Sequence, residues 1–136
     1  SVLSLFACPP EQISAFGVAA VENVANDAVK VNFLVEKPKR EEAPSNLAVD
    51  GRYILTPDIF ALIENTAPGT GGEIQVTDAL QMQAATGHCY GLRFSGVRYD
   101  TGTPLGYLTS SIAYGLKRPE IASGLRDYMR AVLREE

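Results

Sequence analysis

The feature that most narrows the fold is a pair of β-branched runs, residues 18–24 and 29–35, set on either side of Asn26-Asp27. Side chains branched at Cβ favour the pleated backbone, and Asn-Asp is a turn signal, so the two runs form an antiparallel hairpin. Pro38 ends the second strand. Proline cannot donate to a ladder, and it pushes the preceding Lys37 toward an extended backbone. A third strand is expected over residues 2–7, stopped by Pro9-Pro10 and followed by one helical turn over 11–14. After a charged, proline-containing loop at 39–45 comes a fourth strand at 47–55, in which Gly51 signals a bulge or a close backbone approach.

From Thr56 the period changes. Thr56-Pro57 offers an N-cap followed by proline at the first helical position, and Ile59, Phe60 and Ile63 give that helix one apolar face. A glycine-rich loop at 67–72 precedes a helix that starts between Glu73 and Thr77 and ends by Gly87. Short strands are expected at 89–94 and 97–99 around Ser95-Gly96. Thr103-Pro104 opens another helix, with Leu105, Leu108, Ile112 and Leu116 at helical spacing. Pro119 breaks it, and a last helix carries Ile121, Leu125, Tyr128, Met129 and Val132 on one face. Strands first, then helices and strands in alternation, give an α/β class with a mixed sheet rather than a complete doubly wound one.

With 136 residues the chain has room for one domain with a real core but not for two. A formal charge of -4 argues against a nucleic acid or an anionic membrane as partner, since both favour a basic face. No apolar run reaches the length that crosses a bilayer, and the short apolar opening is a poor signal peptide. Cys8 and Cys89 form no CxxC and no metal-ligand spacing; two buried thiols in a reducing cytoplasm and a bridge between them both fit. His88 stands without a second histidine or a Cys/His cluster, so it is not read as a metal ligand.

Four places combine residue types that could meet a ligand. Val35-Glu36-Lys37-Pro38 puts a carboxylate and an ammonium at a strand end, an acceptor for vicinal hydroxyls beside a cation for a phosphate. A surface ion pair fits the same residues, and both readings stand. Asp100, in Tyr99-Asp100-Thr101-Gly102-Thr103-Pro104, can hold Mg²⁺ against a phosphate or simply cap a turn. Gly71-Gly72 before a polar helix start reads as a ligand-approach loop or a flexible connector. Gly17 reads as a close-approach glycine or a plain turn glycine. Glu36 and Lys37 are neighbours on a strand and should face opposite sides, so serving one ligand requires a twist or bulge at Pro38.

Taken in order, Phe16-Gly17-Val18, Val35-Glu36-Lys37-Pro38, Glu42-Ala43-Pro44-Ser45-Asn46-Leu47-Ala48-Val49 and Gly51-Arg52-Tyr53-Ile54-Leu55 resemble the second half of bacterial UTP–glucose-1-phosphate uridylyltransferases. Gly71-Gly72-Glu73-Ile74-Gln75-Val76-Thr77-Asp78-Ala79, Tyr99-Asp100-Thr101-Gly102 and Leu105-Gly106-Tyr107-Leu108 continue the resemblance over nearly the whole chain. It implies the C-terminal half of a Rossmann-like nucleotide-diphospho-sugar transferase fold. Residues 1–136 are then a single partial domain, with 104–136 as its C-terminal helical segment. It implies a reaction of UTP with glucose 1-phosphate, giving UDP-glucose and pyrophosphate with Mg²⁺. By the same resemblance Glu36 meets glucose hydroxyls, Lys37 the sugar's phosphate and Gly17 the sugar by close backbone approach, while Asp100 matches a metal-site aspartate. The family's glycine-rich nucleotide grip, its lysine and its first metal aspartate have no counterpart here, so the chain is expected to be inactive alone. A missing half also implies unpaired strand edges, hence a homo-oligomer or a complementary N-terminal partner. A thymidylyl-type transferase, and a non-catalytic binding module or regulatory paralogue, are the competing expectations.

Overall fold

The computed structural model describes residues 1–69 and 72–134, which divide into two compact units, Ser1–Ser95 and Gly96–Glu136. The first unit contains five strands: β1 (Val2–Ala7), β2 (Gly17–Ala25), β3 (Ala28–Glu36), β4 (Leu47–Ile54) and β5 (Tyr90–Arg93). Two helices, α1 (Ile59–Glu64) and α2 (Val76–Ala85), lie between β4 and β5. The expected hairpin is β2–β3, with Gly17 opposite Glu36 and Ala25 opposite Ala28. Its turn works because Asn26 adopts φ 49°, a left-handed conformation that asparagine tolerates.

The sheet is mixed, as the alternation of patterns suggested, but it is not open. The strands follow the order β1-β4-β2-β3-β5 and close on themselves. β5 runs parallel to β1 and antiparallel to β3, so this four-residue strand seals the barrel. The expectation of unpaired edges is therefore corrected: among the described strands each has two neighbours. Val2, Ile54 and Leu92 are apolar side chains exposed on the outside.

Alternation along the strands sends Leu3 and Leu5 of β1 and Val29 and Val31 of β3 inward. They meet Ile59 of α1 and Ala79, Leu80 and Ala84 of α2, all within 4 % of full burial. A second buried group, Cys8, Ile13, Val18 and Ala48, fills the end of the barrel near the start of β2. Cys8 and Cys89 are both buried thiols, in different groups, with no disulfide. Helix α2 is also pinned by polar contacts: the Leu34 N–H donates to Gln81 Oε1 at 2.6 Å. Buried Gln83 donates through Nε2 to Thr56 Oγ1 and to Asp58 Oδ2, each at 2.9 Å. Those bonds explain a second correction. Thr56 is turned toward Gln83 rather than capping a helix, and α1 begins only at Ile59.

In the second unit, α3 (Pro104–Leu116) starts as expected, with Thr103 as N-cap and its Oγ1 accepting from the Gly106 N–H at 3.0 Å. Helix α4 (Pro119–Val132) starts on Pro119. Residues 97–99, expected to be a strand, carry no ladder and lead into the turn before α3. The two helices meet through small residues: Ser110, Gly115 and Ala122 are buried, and a Cβ on Gly115 would lie 2.8 Å from Leu125 Cδ2. Leu105 and Leu108, expected on an apolar face, are exposed.

The closed barrel leaves no room at Gly91. A Cβ there would overlap Leu5 Cδ1 and approach Val29 Cγ2 to 2.9 Å. Overpacking of this kind costs about 1–3 kcal/mol. Gly91→Ala is expected to lose stability in that range in urea unfolding, and an unchanged midpoint would mean that the β5 seam is not packed as described.

Candidate functional site

At the end of β3 the strand stops on Glu36, and Lys37 follows with φ 46°. The proline rule led to an extended Lys37; the structure places it in the left-handed region instead. A non-glycine residue there costs roughly 1–3 kcal/mol and persists only where its surroundings impose it. The Lys37 N–H donates to the Phe16 carbonyl at 3.0 Å, just where β2 begins. Phe16 is itself braced by an edge-on contact with Phe6, ring centroids 5.2 Å apart. The bend undoes the alternation of strand side chains, and Lys37 Nζ comes to 3.9 Å from Glu36 Oε1. The twist that joint action required is present at Lys37, one residue before Pro38.

The other carboxylate oxygen of Glu36 is also engaged. Thr77, in the first turn of α2, donates through Oγ1 to Glu36 Oε2 at 2.5 Å. The positive end of a helix is a favourable place for a carboxylate. Gly17 sits opposite Glu36 in the ladder, and a Cβ on it would lie 3.0 Å from Glu36 Oε2 and 3.2 Å from Thr77 Oγ1. Gly17 therefore leaves the room in which the carboxylate and the hydroxyl meet. Tyr53, on β4, feels the same charge: burial first, then Glu36 and Asp50, raise its phenol above the usual tyrosine range. It stays protonated and a donor. The structure thus brings Gly17, Glu36 and Lys37 together. It adds Thr77, which sequence reading passed over because a threonine in a first helical turn looks like ordinary capping chemistry.

Asp100 belongs to the second unit. Its Oδ1 accepts from the Gly102 N–H at 2.9 Å and its Oδ2 from Arg98 at 3.1 Å. Both contacts, the Gly102 N–H first, hold its carboxyl below the usual aspartate range. The turn reading is thereby met in full, and the carboxylate is exposed and ionised as well. Gly106 lets the turn fold this tightly, since a Cβ there would overlap the Asp100 carbonyl. Mg²⁺ is a hard cation that accepts one or two carboxylates alongside substrate phosphates. The Asp100 carboxylate fits it as one ligand. Among the described residues no group of three or more His, Cys, Asp or Glu side chains converges, so no all-protein cage exists there.

Of the glycine-rich stretch, Gly71 lies outside the described residues. The Gly72 N–H donates to the Gly69 carbonyl at 3.0 Å, and Gly72 itself has φ 77°. His88 Nδ1 lies 3.3 Å from Thr86 Oγ1 and joins no ligand set among the described residues. Among the described residues no helix is long and apolar enough to cross a membrane.

Comparisons agree on one family. Residues 2–115 match the nucleotidyl transferase family. A UTP–glucose-1-phosphate uridylyltransferase of Pseudomonas aeruginosa is 53% identical over 111 residues, which is 82% of this chain and 40% of that protein. One from Streptococcus pneumoniae is 42% identical over 130 residues, 95% of this chain and 44% of that protein. A solved UDP-glucose pyrophosphorylase complexed with UDP-glucose superposes with a TM-score of 0.82 at 44% identity, covering 86% of this chain and 44% of its own. The UTP-bound enzyme from Acinetobacter baumannii gives 0.80 at 34% identity, with 94% and 44% covered. The chain thus spans less than half the length of the relatives it matches.

The bend at Lys37 has a measurable signature. Alanine and glycine both remove the side chain but differ in tolerance of positive φ. In an ordinary extended position alanine is the more stable by about 0.5–1 kcal/mol. At residue 37 the order is expected to invert, Lys37→Gly melting above Lys37→Ala by about 1 kcal/mol. Thermal unfolding of the two variants checks this, and the ordinary order would remove the strained backbone from the description.

Proposed function

The chain belongs to the nucleotidyl transferase family, and from that premise we propose that it carries the sugar-phosphate side of a uridylyl transfer. In that reaction a phosphate oxygen of glucose 1-phosphate bonds to the α-phosphorus of UTP, and the bond to the departing pyrophosphate breaks, leaving UDP-glucose. The observation that carries the reading is the bend at Lys37, which sets an ammonium 3.9 Å from a carboxylate oxygen on the same side of a strand end. Vicinal sugar hydroxyls donate to Glu36, and the phosphate lies against Lys37. Transfer of this kind is mostly positioning and charge neutralisation, which suits a site made of one anion and one cation.

Within this proposal the chain is the C-terminal, sugar-binding half of a Rossmann-like nucleotide-diphospho-sugar transferase fold. That the chain spans less than half the length of its relatives supports reading it as one part of a longer transferase. Asp100 is one ligand of Mg²⁺, which when bound neutralises phosphate charge. The exposed apolar face around Val2, Ile54 and Leu92 supports the expectation that this unit works against further protein.

Calorimetric titration with UDP-glucose and Mg²⁺ tests the proposal. Wild type is expected to bind, while Glu36→Gln and Lys37→Ala each weaken binding by roughly tenfold or more, as expected for loss of a charged hydrogen-bond partner. Binding that survives both substitutions would remove the sugar-phosphate site from this strand end.

A further inference from the structure

Resting on that reading, we propose that Thr77 is a positioning residue, whose hydroxyl fixes the Glu36 carboxylate so that Oε1 is the oxygen presented to the sugar. Glu36 is the last residue of β3. A glutamate there has three rotatable bonds, and a solvent-facing conformer would separate it from Lys37. One hydrogen bond, given room by Gly17, prevents this. Thr77 Oγ1 holds Oε2 at 2.5 Å. Gly17 leaves the space into which Oε2 fits, since a Cβ would stand 3.0 Å from it. Lys37 Nζ faces Oε1 at 3.9 Å, a separation too long for a strong hydrogen bond.

Oε2 is thus occupied and Oε1 remains available beside the cation. The Glu36 side chain is only 21% exposed against 59% for Lys37, so the carboxylate is the fixed member of the pair. Thr77 can hold it because α2 is itself anchored four residues further on, where Gln81 Oε1 accepts from the Leu34 N–H. Thr77 acts on the ligand through Glu36 and not by touching the sugar.

The test uses Thr77→Val, which keeps the shape and removes the hydroxyl, and Thr77→Ser, which restores it. In the ligand-free chain carrying ¹³C-labelled glutamate, with Glu36 assigned from Glu36→Gln, Thr77→Val is expected to shift the Glu36 carboxyl resonance and Thr77→Ser to return it. An unmoved resonance in a folded Thr77→Val variant overturns the proposal whether or not any sugar binds. Calorimetry with UDP-glucose then reads the consequence. Thr77→Val is expected to weaken binding about tenfold, the loss typical of one hydrogen bond to a charged group. In the Glu36→Gln background Thr77→Val should add nothing further. An additive loss in the double variant would mean that Thr77 meets the sugar directly, and a melting-point drop not rescued by serine would mean a structural role; either overturns it. A wild type that binds nothing while the resonance moves as expected would count against the sugar-phosphate site alone and leave the positioning contact in place.

Discussion

The arrangement of this strand end depends on one register, Gly17 opposite Glu36 in the β2–β3 ladder, extended by the Lys37 N–H to the Phe16 carbonyl. In a ladder, a slip of one residue sends every side chain to the other face. Here such a slip would put a larger residue opposite Glu36, where only glycine leaves space for the carboxylate. It would also break the hydrogen bond from the Lys37 N–H to the Phe16 carbonyl. The register is itself protected, because Val18, Val29 and Val31 are wholly buried and could not exchange faces without exposing the core. Packing in the barrel therefore fixes chemistry at its rim.

Helix α2 fits this strand for a geometric reason. Thr77 and Gln81 lie four residues apart on one helix face, spanning about 6 Å along the axis. Their partners on β3, Glu36 and Leu34, lie two residues apart, about 6.6 Å along the strand. The spacings agree, so one helix face running back along β3 makes both bonds together. The apolar contacts of Ala79, Leu80 and Ala84 press the same helix onto the core, and the polar pair sets where along the strand it rests. The second bond ties the first to the packed strand. With it, the carboxylate of Glu36 is referred to the interior of the fold.

Much of this was readable from local patterns. The hairpin, the start of α3, the break at Pro119 with a helix after it, and the helix after the glycine-rich stretch all follow from local signals such as β-branching, Asn26, Thr103-Pro104 and Pro119. Pro119 proves to open α4 as well as to end the run before it. The short strand β5 was placed to within a residue or two, yet its role was invisible, since closing a barrel depends on which distant strands it meets. The start of α1 was misplaced because Thr56 has a long-range claimant, Gln83, that outranks local capping. Residues 97–99 have strand-like side chains but no partner strand to make a ladder. At the site, Gly17, Glu36 and Lys37 stood out as residue types, while Thr77 did not. Its importance comes from a contact across 41 positions of sequence, which no spacing rule encodes.

The bend at Lys37 is not explained by the bonds of its own side chain. An exposed ion pair is worth about 0–1 kcal/mol, and this one is loose at 3.9 Å with the lysine 59% exposed. The backbone bond to Phe16 contributes about 1 kcal/mol net, as much as the bond an extended Lys37 could make to water or a neighbour. Neither offsets a strain of roughly 1–3 kcal/mol with any margin. The conformation is imposed by the fold at the strand end, against the extended preference that Pro38 gives its predecessor, and its visible product is an ammonium kept near a carboxylate without being consumed by it. An anion entering beside Nζ would gain a full charge-assisted contact while displacing only a weak one. Under the proposed reading, the energy stored in that backbone is what keeps Lys37 available to a phosphate.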